Sequence, residues 1–91
     1  MYELETIVNG RSRDLMIDAA GKVYVVEEEI SAEMAPPAVR AALDARGRVE
    51  KLESVLENGR TRYEAQVRTK AGKKITRELD PDGSPTKKTK K

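Results

Sequence analysis

Residues 2–17 read YELETIVNGRSRDLMI, and this stretch decides the fold because two apolar-rich runs flank one asparagine-glycine pair. Asn9-Gly10 favours a two-residue type I′ hairpin turn, since both residues tolerate positive φ. A two-residue turn fixes the register of the strands on either side. The expected pairs, Val8–Arg11, Leu4–Leu15 and Tyr2–Ile17, gather most of the apolar side chains on one face.

A second Asn-Gly pair, Asn58-Gly59, predicts another hairpin, with the strand Arg48–Glu57 before it. Its register gives the pairs Leu52–Ala65, Ser54–Tyr63 and Leu56–Thr61. Val49 and Val55 then fall on the opposite face from Leu52, which predicts a β-bulge in this strand. The three-residue turn Lys70-Ala71-Gly72 predicts a further strand, with Val67 opposite Ile75 and Tyr63 opposite Leu79. Lys22–Ile30 completes a sheet of about six strands.

One helix is expected between the third and fourth strands. Pro36-Pro37 is compatible with a helix start, and Gly47 is placed to end the helix as its C′ residue. An apolar stripe has helical spacing, formed by Ala35, Val39, Ala42 and Leu43. A helix of about eleven residues is not stable alone, so it should lie on the sheet. The face that carries Tyr2, Leu4, Tyr63 and Val67 is the expected contact.

The two halves of the chain share a pattern. Tyr2-Glu3 matches Tyr63-Glu64, and the turn Asp18–Gly21 matches the turn Asp80–Gly83 at nearly the same spacing. The predicted fold class is therefore α+β, with an antiparallel sheet of about six strands from a duplicated β unit and one α-helix on one face. Residues 1–83 form a single domain, with 2–29 a partial first repeat and 30–83 a fuller second repeat. Residues 84–91 are expected to be a disordered basic tail.

Composition narrows the function. The chain has 91 residues, which is one small domain, and it contains no cysteine and no histidine. Thiolate chemistry and the Ser-His-Asp arrangement are excluded, and the commonest metal ligand is missing. No apolar run approaches the length of a membrane span. Residues 1–35 hold eight acidic and three basic side chains, whereas residues 36–91 hold eight acidic and fifteen basic.

Few side chains are candidates for chemistry. Glu53 opposite Glu64 is a paired-carboxylate candidate, but both belong to the predicted polar face, and a general acid and base need a pocket that separates their pKa values. Asp80 and Asp82 resemble the start of a calcium loop, but the glutamate that completes one is missing. The sequence therefore predicts no catalytic residue, no cofactor-binding residue and no metal ligand. The lysine tail, residues 87–91, lacks aromatic partners, which disfavours nucleic acid.

The stretch Ile30–Leu43 reads ISAEMAPPAVRAAL and resembles the helix entry of PepSY-like domains. Lys51–Gly59, then Tyr63–Val67 and the closing turn Asp80–Gly83, resemble the later strands of the same unit. The resemblance implies a fold of the β-lactamase-inhibitor-protein type and export to the bacterial envelope or beyond. Because related units occur in propeptides of thermolysin-type metallopeptidases, it also implies inhibition or chaperoning of a peptidase. It supplies no catalytic residues.

The sequence thus predicts a non-catalytic module that binds a protein partner, with a secreted peptidase as one candidate. An open sheet edge in the shortened first repeat is the expected contact. The alternative is a structural or assembly domain that forms a homodimer through that edge. The family resemblance predicts a periplasmic or secreted location, and no signal peptide is recognisable, which would make the protein cytoplasmic if the chain is complete.

Overall fold

The computed structural model describes residues 2–86 and contains one six-stranded antiparallel sheet with a single α-helix. The strands lie in the sheet in the same order as in the chain. They are β1 (Tyr2–Val8), β2 (Arg11–Ile17), β3 (Val23–Glu29), β4 (Arg48–Glu57), β5 (Arg60–Arg68) and β6 (Lys74–Leu79), and the helix α1 (Pro37–Asp44) follows β3. The predicted α+β class is confirmed.

Both Asn-Gly turns adopt the predicted geometry. Asn9 and Asn58 each have φ of 52°, and the glycines that follow have φ of 78° and 76°, as a type I′ turn requires. The pairs predicted from these turns are all present, from Val8–Arg11 to Tyr2–Ile17 and from Leu56–Thr61 to Leu52–Ala65. The pairs predicted for β5 and β6, Val67–Ile75 and Tyr63–Leu79, are present as well.

The predicted bulge lies in β4, where the register shifts between Val49 and Lys51. The extra residue returns Val49 to the helix side of the sheet, where it packs against the core. Val55 stays on the far side of the sheet and is nevertheless fully buried. A second shift, between Met16 and Ile17 in β2, was not expected from the sequence.

The helix is shorter than predicted and covers only part of the sheet. It spans eight residues, Pro37–Asp44, and lies over β4 and β5. A 3₁₀ turn, Ala32–Met34, precedes it, and the Ser31 side chain does not cap that turn. The main core lies between helix and sheet and is formed by Ile30, Ala35, Val39, Leu43, Leu52, Ala65, Val67 and Leu79. The predicted helix-bearing face, marked by Tyr63 and Val67, is confirmed for this half of the sheet.

Gly47 does not serve as the C′ residue, because the helix already ends at Asp44 and Ala45 is its C-cap. Its φ is 152°, and a Cβ atom at this position would lie 2.2 Å from the carbonyl oxygen of Arg68. Gly47 is therefore required for close approach between the helix exit and β5.

The end of the folded part also differs from expectation. Pro85 bridges to Leu79, and the amide of Thr86 donates to the carbonyl oxygen of Glu78 over 2.9 Å. These contacts extend the structured chain from Gly83 to Thr86. The remainder of the predicted tail, residues 87–91, lies outside the described residues.

Candidate functional site

Within residues 2–86, α1 packs on β4 and β5 and leaves the helix-side face of β1–β3 without a helix above it. This face is apolar toward Tyr2 and Ile17, whereas near the first turn it carries Thr6, Arg11, Arg13 and Glu28. Its apolar side chains, together with a neighbour from β4, are Tyr2, Leu4, Val8, Leu15, Ile17, Val26 and Leu56, a set called here the uncovered face. Tyr2 is 66% exposed, Leu4 48% and Leu56 44%. An open groove lined by Val23, Tyr24, Val26 and Leu56 runs along one end of this face. Contiguous exposed apolar surface of this kind marks interaction sites.

The opposite side of the sheet carries a row of four glutamates. The predicted pair Glu53–Glu64 is present, and the cross-strand register adds Glu29 beside Glu53 and Glu78 beside Glu64. Partial burial raises the pKa of the Glu64 carboxyl, and a hydrogen bond with Glu78 and the charge of Glu78 raise it further. The side chains of Glu53, Glu64 and Glu78 are between 20% and 29% exposed, so this row is partly buried. Glu53 and Glu64 line a small cavity together with Lys51, Gln66 and Thr76.

Arg62 lies at the centre of this acidic side and offsets part of its charge. Its Nη1 donates to Oε1 of Glu57 over 2.9 Å, while Nη2 lies 3.7 Å from Glu64 and Nε lies 3.5 Å from Glu78. Burial opposes its positive charge, but the hydrogen bond with Glu57 and the surrounding carboxylates raise the pKa of Arg62 overall. Because Arg62 is directly opposite the buried Val55, its stem and the paired carboxylates help to shield that side chain from water.

The aspartates weighed as calcium ligands serve turns. Asp82 Oδ1 accepts from the backbone amide and the hydroxyl of Ser84, and Asp80 Oδ1 accepts from the hydroxyl of Thr86. The hydroxyl and amide of Ser84 lower the pKa of Asp82. Asp18 accepts hydrogen bonds in the same manner, from the backbone amides of Ala20 and Lys22. The hydrogen bond from the backbone amide of Lys22 is the chief cause that lowers the pKa of Asp18. These carboxylates hold turns, which agrees with the turn interpretation.

A further group of carboxylates was not singled out by the sequence. The carboxylate oxygens of Glu3, Glu5 and Asp14 lie within 4.8 Å of one another on the far side of β1 and β2. The predicted register of the first hairpin already places Glu5 opposite Asp14. Because side chains alternate between the two faces of a strand, Glu3 lies on the same face as Glu5, and this pattern could have predicted the carboxylate group.

Comparison of the chain with protein-family models, with curated proteins and with solved structures found no match. Within residues 2–86, no helix has the length and apolar character needed to cross a membrane. The functional interpretation therefore depends on the surfaces described above.

Proposed function

We propose that this domain is a non-catalytic module that binds a protein partner through the uncovered face and the adjoining edge of β1. The observation that carries the proposal is the exposure of Leu4, Tyr2 and Leu56 on a sheet whose other half buries the equivalent side chains under α1. Exposing large apolar side chains side by side has a free-energy cost of about 25 cal/mol per Å² relative to burial, and a partner that covers them recovers it.

We also infer that the chain belongs with PepSY-like domains and arose by duplication of a β unit. Support comes from the hairpins β1–β2 and β5–β6. In each, the paired segment begins at a Tyr-Glu dipeptide, and the tyrosine lies opposite an aliphatic residue, Ile17 or Leu79. The closing turns share backbone hydrogen bonds, from Gly21 to Asp18 and from Gly83 to Asp80. The turn after β5 has the same bond, from Gly72 to Thr69, so the Tyr-Glu pairing is the stronger support.

The resemblance directs the choice of partner to a secreted or envelope peptidase, which the domain would inhibit or chaperone. An apolar sheet face and an open edge fit this role, because a peptidase cleft binds extended chains and often forms backbone hydrogen bonds with them. The partly buried glutamate row on the far side of the sheet is offset by Arg62, which lies 3.7 Å from Glu64 and 3.5 Å from Glu78, and we interpret it as a structural ion-pair network rather than an acid–base site.

The alternative function is assembly, in which two copies pair through β1 and form one continuous sheet. The free edge favours it, but an antiparallel pair of β1 strands centred on Leu4 would place Glu3 opposite Glu5, and like charges in that position are destabilising. Light scattering over a range of concentrations separates the two functions, since the assembly role requires a dimer.

The test of the proposed function is affinity capture combined with a peptidase assay. The domain is immobilised and exposed to secreted and envelope fractions, and peptidase activity is measured in the eluate. We expect capture by the wild type and loss of capture with Leu4→Asp. The matched control is Met34→Asp, because Met34 is also an exposed apolar residue, 51% exposed, but lies on the 3₁₀ turn. Equal capture by Leu4→Asp and the wild type would refute the uncovered face as the binding surface.

A further inference from the structure

The outer edge of β1 has backbone groups available for another strand. In a two-residue hairpin the residues that flank the turn, here Val8 and Arg11, exchange both backbone hydrogen bonds, and hydrogen-bonded pairs recur at every second residue. The amides and carbonyls of Glu3, Glu5 and Ile7 consequently point away from β2. Within residues 2–86, β1 pairs with β2 alone, so these groups face outward along an open edge.

The two rows of side chains along this edge differ in chemistry. On the helix side, Tyr2, Leu4 and Val8 are exposed and apolar. On the far side, Glu3 and Glu5 project beside Asp14, with their carboxylate oxygens within 4.8 Å of one another. An added strand would therefore meet a mainly apolar row, in which Thr6 stands between Leu4 and Val8, on one face, and on the other face the two carboxylates followed by the exposed Ile7.

We propose that β1 accepts an extended segment of the partner as an antiparallel strand in which basic and apolar residues alternate. Basic residues lie opposite Glu3 and Glu5, and apolar residues lie opposite Tyr2 and Leu4. This inference rests on the proposed function, and it specifies the chemistry of the partner at that surface. The partner's backbone supplies hydrogen bonds, while its alternating side chains select the register.

Charge complementarity is the reason for a basic partner. On their own face of the sheet Glu3 and Glu5 are opposite Met16 and Asp14 of β2, neither of which is basic. The negative potential extends inward to β3, where burial first, and then the charges of Glu53, Asp14 and Glu3, raise the pKa of Glu27. Lysine or arginine side chains of an added strand would relieve this repulsion.

The same carboxylates argue against a second copy of β1 as the occupant. A two-fold axis perpendicular to the sheet and centred on Leu4 places Glu3 opposite Glu5 of the other copy. The axis centred on Glu5 places Glu5 opposite itself. Like charges directly opposite one another destabilise a strand pair, so self-pairing of β1 is disfavoured in these two registers.

The experiment measures binding of the full domain to the capped peptide Lys-Val-Lys-Val-Lys-Val by calorimetry at low salt. Two controls have defined chemistry: the block peptide Lys-Lys-Lys-Val-Val-Val, which has the same composition, and Glu-Val-Glu-Val-Glu-Val, which reverses the charge. We expect the alternating basic peptide to bind and both controls to bind at least about tenfold more weakly. Equal binding of the block peptide would overturn the alternating-strand proposal.

Backbone pairing is tested on the peptide, where folding of the domain is not at risk. Peptide residues opposite Glu3 and Glu5 direct their amides toward β1, so N-methylation of the lysines should abolish binding. N-methylation of the valines, whose amides point away from β1, is the matched control and should leave most of the binding. If both methylated peptides bind like the parent peptide, the strand-addition proposal is wrong.

Variants of the domain test the same contact from the other side. Ile7→Pro removes one outward amide and should weaken peptide binding, whereas Ile7→Thr keeps that amide and should preserve it. Glu3→Gln with Glu5→Gln should weaken binding about fivefold to tenfold, and the equal charge change Glu33→Gln with Asp44→Asn should not. If Ile7→Pro does not fold, the double Gln variant decides the outcome.

The results separate this inference from the proposed function. If no peptide binds while peptidase capture still depends on Leu4, the uncovered face remains the binding surface and the alternating basic strand is wrong. If the peptide binds with the expected pattern and capture is insensitive to Leu4, the strand site stands and the proposed use of the uncovered face is wrong.

Discussion

The hairpins β1–β2 and β5–β6 form the two ends of one sheet. The paired segment of each begins at a Tyr-Glu dipeptide, but the residues that follow are exposed in the first hairpin and buried in the second. Leu4 follows Tyr2 by two residues and is 48% exposed, whereas Ala65 follows Tyr63 by two residues and is 2% exposed. Alternation of apolar residues is thus enough to form a strand pair at both ends. Burial depends on a covering element, and among residues 2–86 only the segment between β3 and β4 provides one.

The largest effect that separates the two ends is expected from truncating one leucine in each. Leu43 is 1% exposed and belongs to the core under α1, so Leu43→Ala should lower the free energy of unfolding by about 3 kcal/mol. Leu4→Ala should lower it by less than about 1 kcal/mol, because the side chain is already half in water. Urea denaturation followed by circular dichroism measures both.

If Leu4→Ala lowered the free energy of unfolding as much as Leu43→Ala does, the expected difference between the two ends of the sheet would be wrong. It would mean that β1 is buried in solution, and light scattering of the wild type would then show whether a second copy covers it.

Two glycines sharpen the comparison at the backbone level. Gly47, in the covered half, approaches Arg68 so closely that a Cβ atom would lie 2.2 Å from its carbonyl oxygen, whereas a Cβ at Gly10 would meet nothing within 4 Å. Gly47→Ala should therefore be destabilising by about 2–3 kcal/mol. Gly10→Ala should cost about 1–2 kcal/mol, through its positive φ alone.

Thermal denaturation of the two glycine variants and the wild type shows which substitution lowers the stability more, and we expect the larger loss for Gly47→Ala. The reverse order, with Gly10→Ala the less stable protein, would show that the turn of the exposed hairpin matters more to stability than the helix exit.

The smallest effect is expected from pH, which acts on carboxylates in both halves. The pKa values of Glu27 and Glu64 are raised above their ordinary value of 4.5. The stability that these groups contribute is present below that value and is lost as the pH rises through their folded pKa values. The pKa values of Asp18 and Asp82 are lowered from 3.8, so their contribution is lost as the pH falls below that value. Stability should peak at mildly acidic pH.

Thermal midpoints measured from about pH 3 to about pH 7 test this profile. The variant Glu27→Gln with Glu64→Gln should lose the decline toward neutral pH and keep the decline toward acid. A wild-type midpoint that rises steadily to neutral pH would contradict the role of Glu27 and Glu64.

Much of the fold follows from the sequence because short turns specify register. Asn9-Gly10 and Asn58-Gly59 fixed two hairpins, and the predicted Tyr63–Leu79 pair also implies that Glu78 lies opposite Glu64. The register of β3 against β4 is different, because a helix and a 3₁₀ turn separate these strands. No local turn specifies it, and for that reason Glu29 could not be placed beside Glu53. The sequence also did not predict the end of the helix at Asp44. Gly47 is required for its close approach to Arg68, a residue distant in sequence, and local sequence patterns do not reveal such a contact.

The order of the strands in the sheet has a consequence for kinetics. In the part of the chain that the structure describes, each strand pairs only with its neighbours in sequence, so the hairpins can form locally. The one long closure there is that of residues 30–47 between β3 and β4. Closure of this segment together with docking of α1 is expected to set the folding rate, because loop entropy must be lost before its contacts form. β1, which in residues 2–86 pairs with β2 alone, should exchange its amide hydrogens fastest of all the strands. The edge proposed to bind a partner strand is then also the first part of the sheet to open.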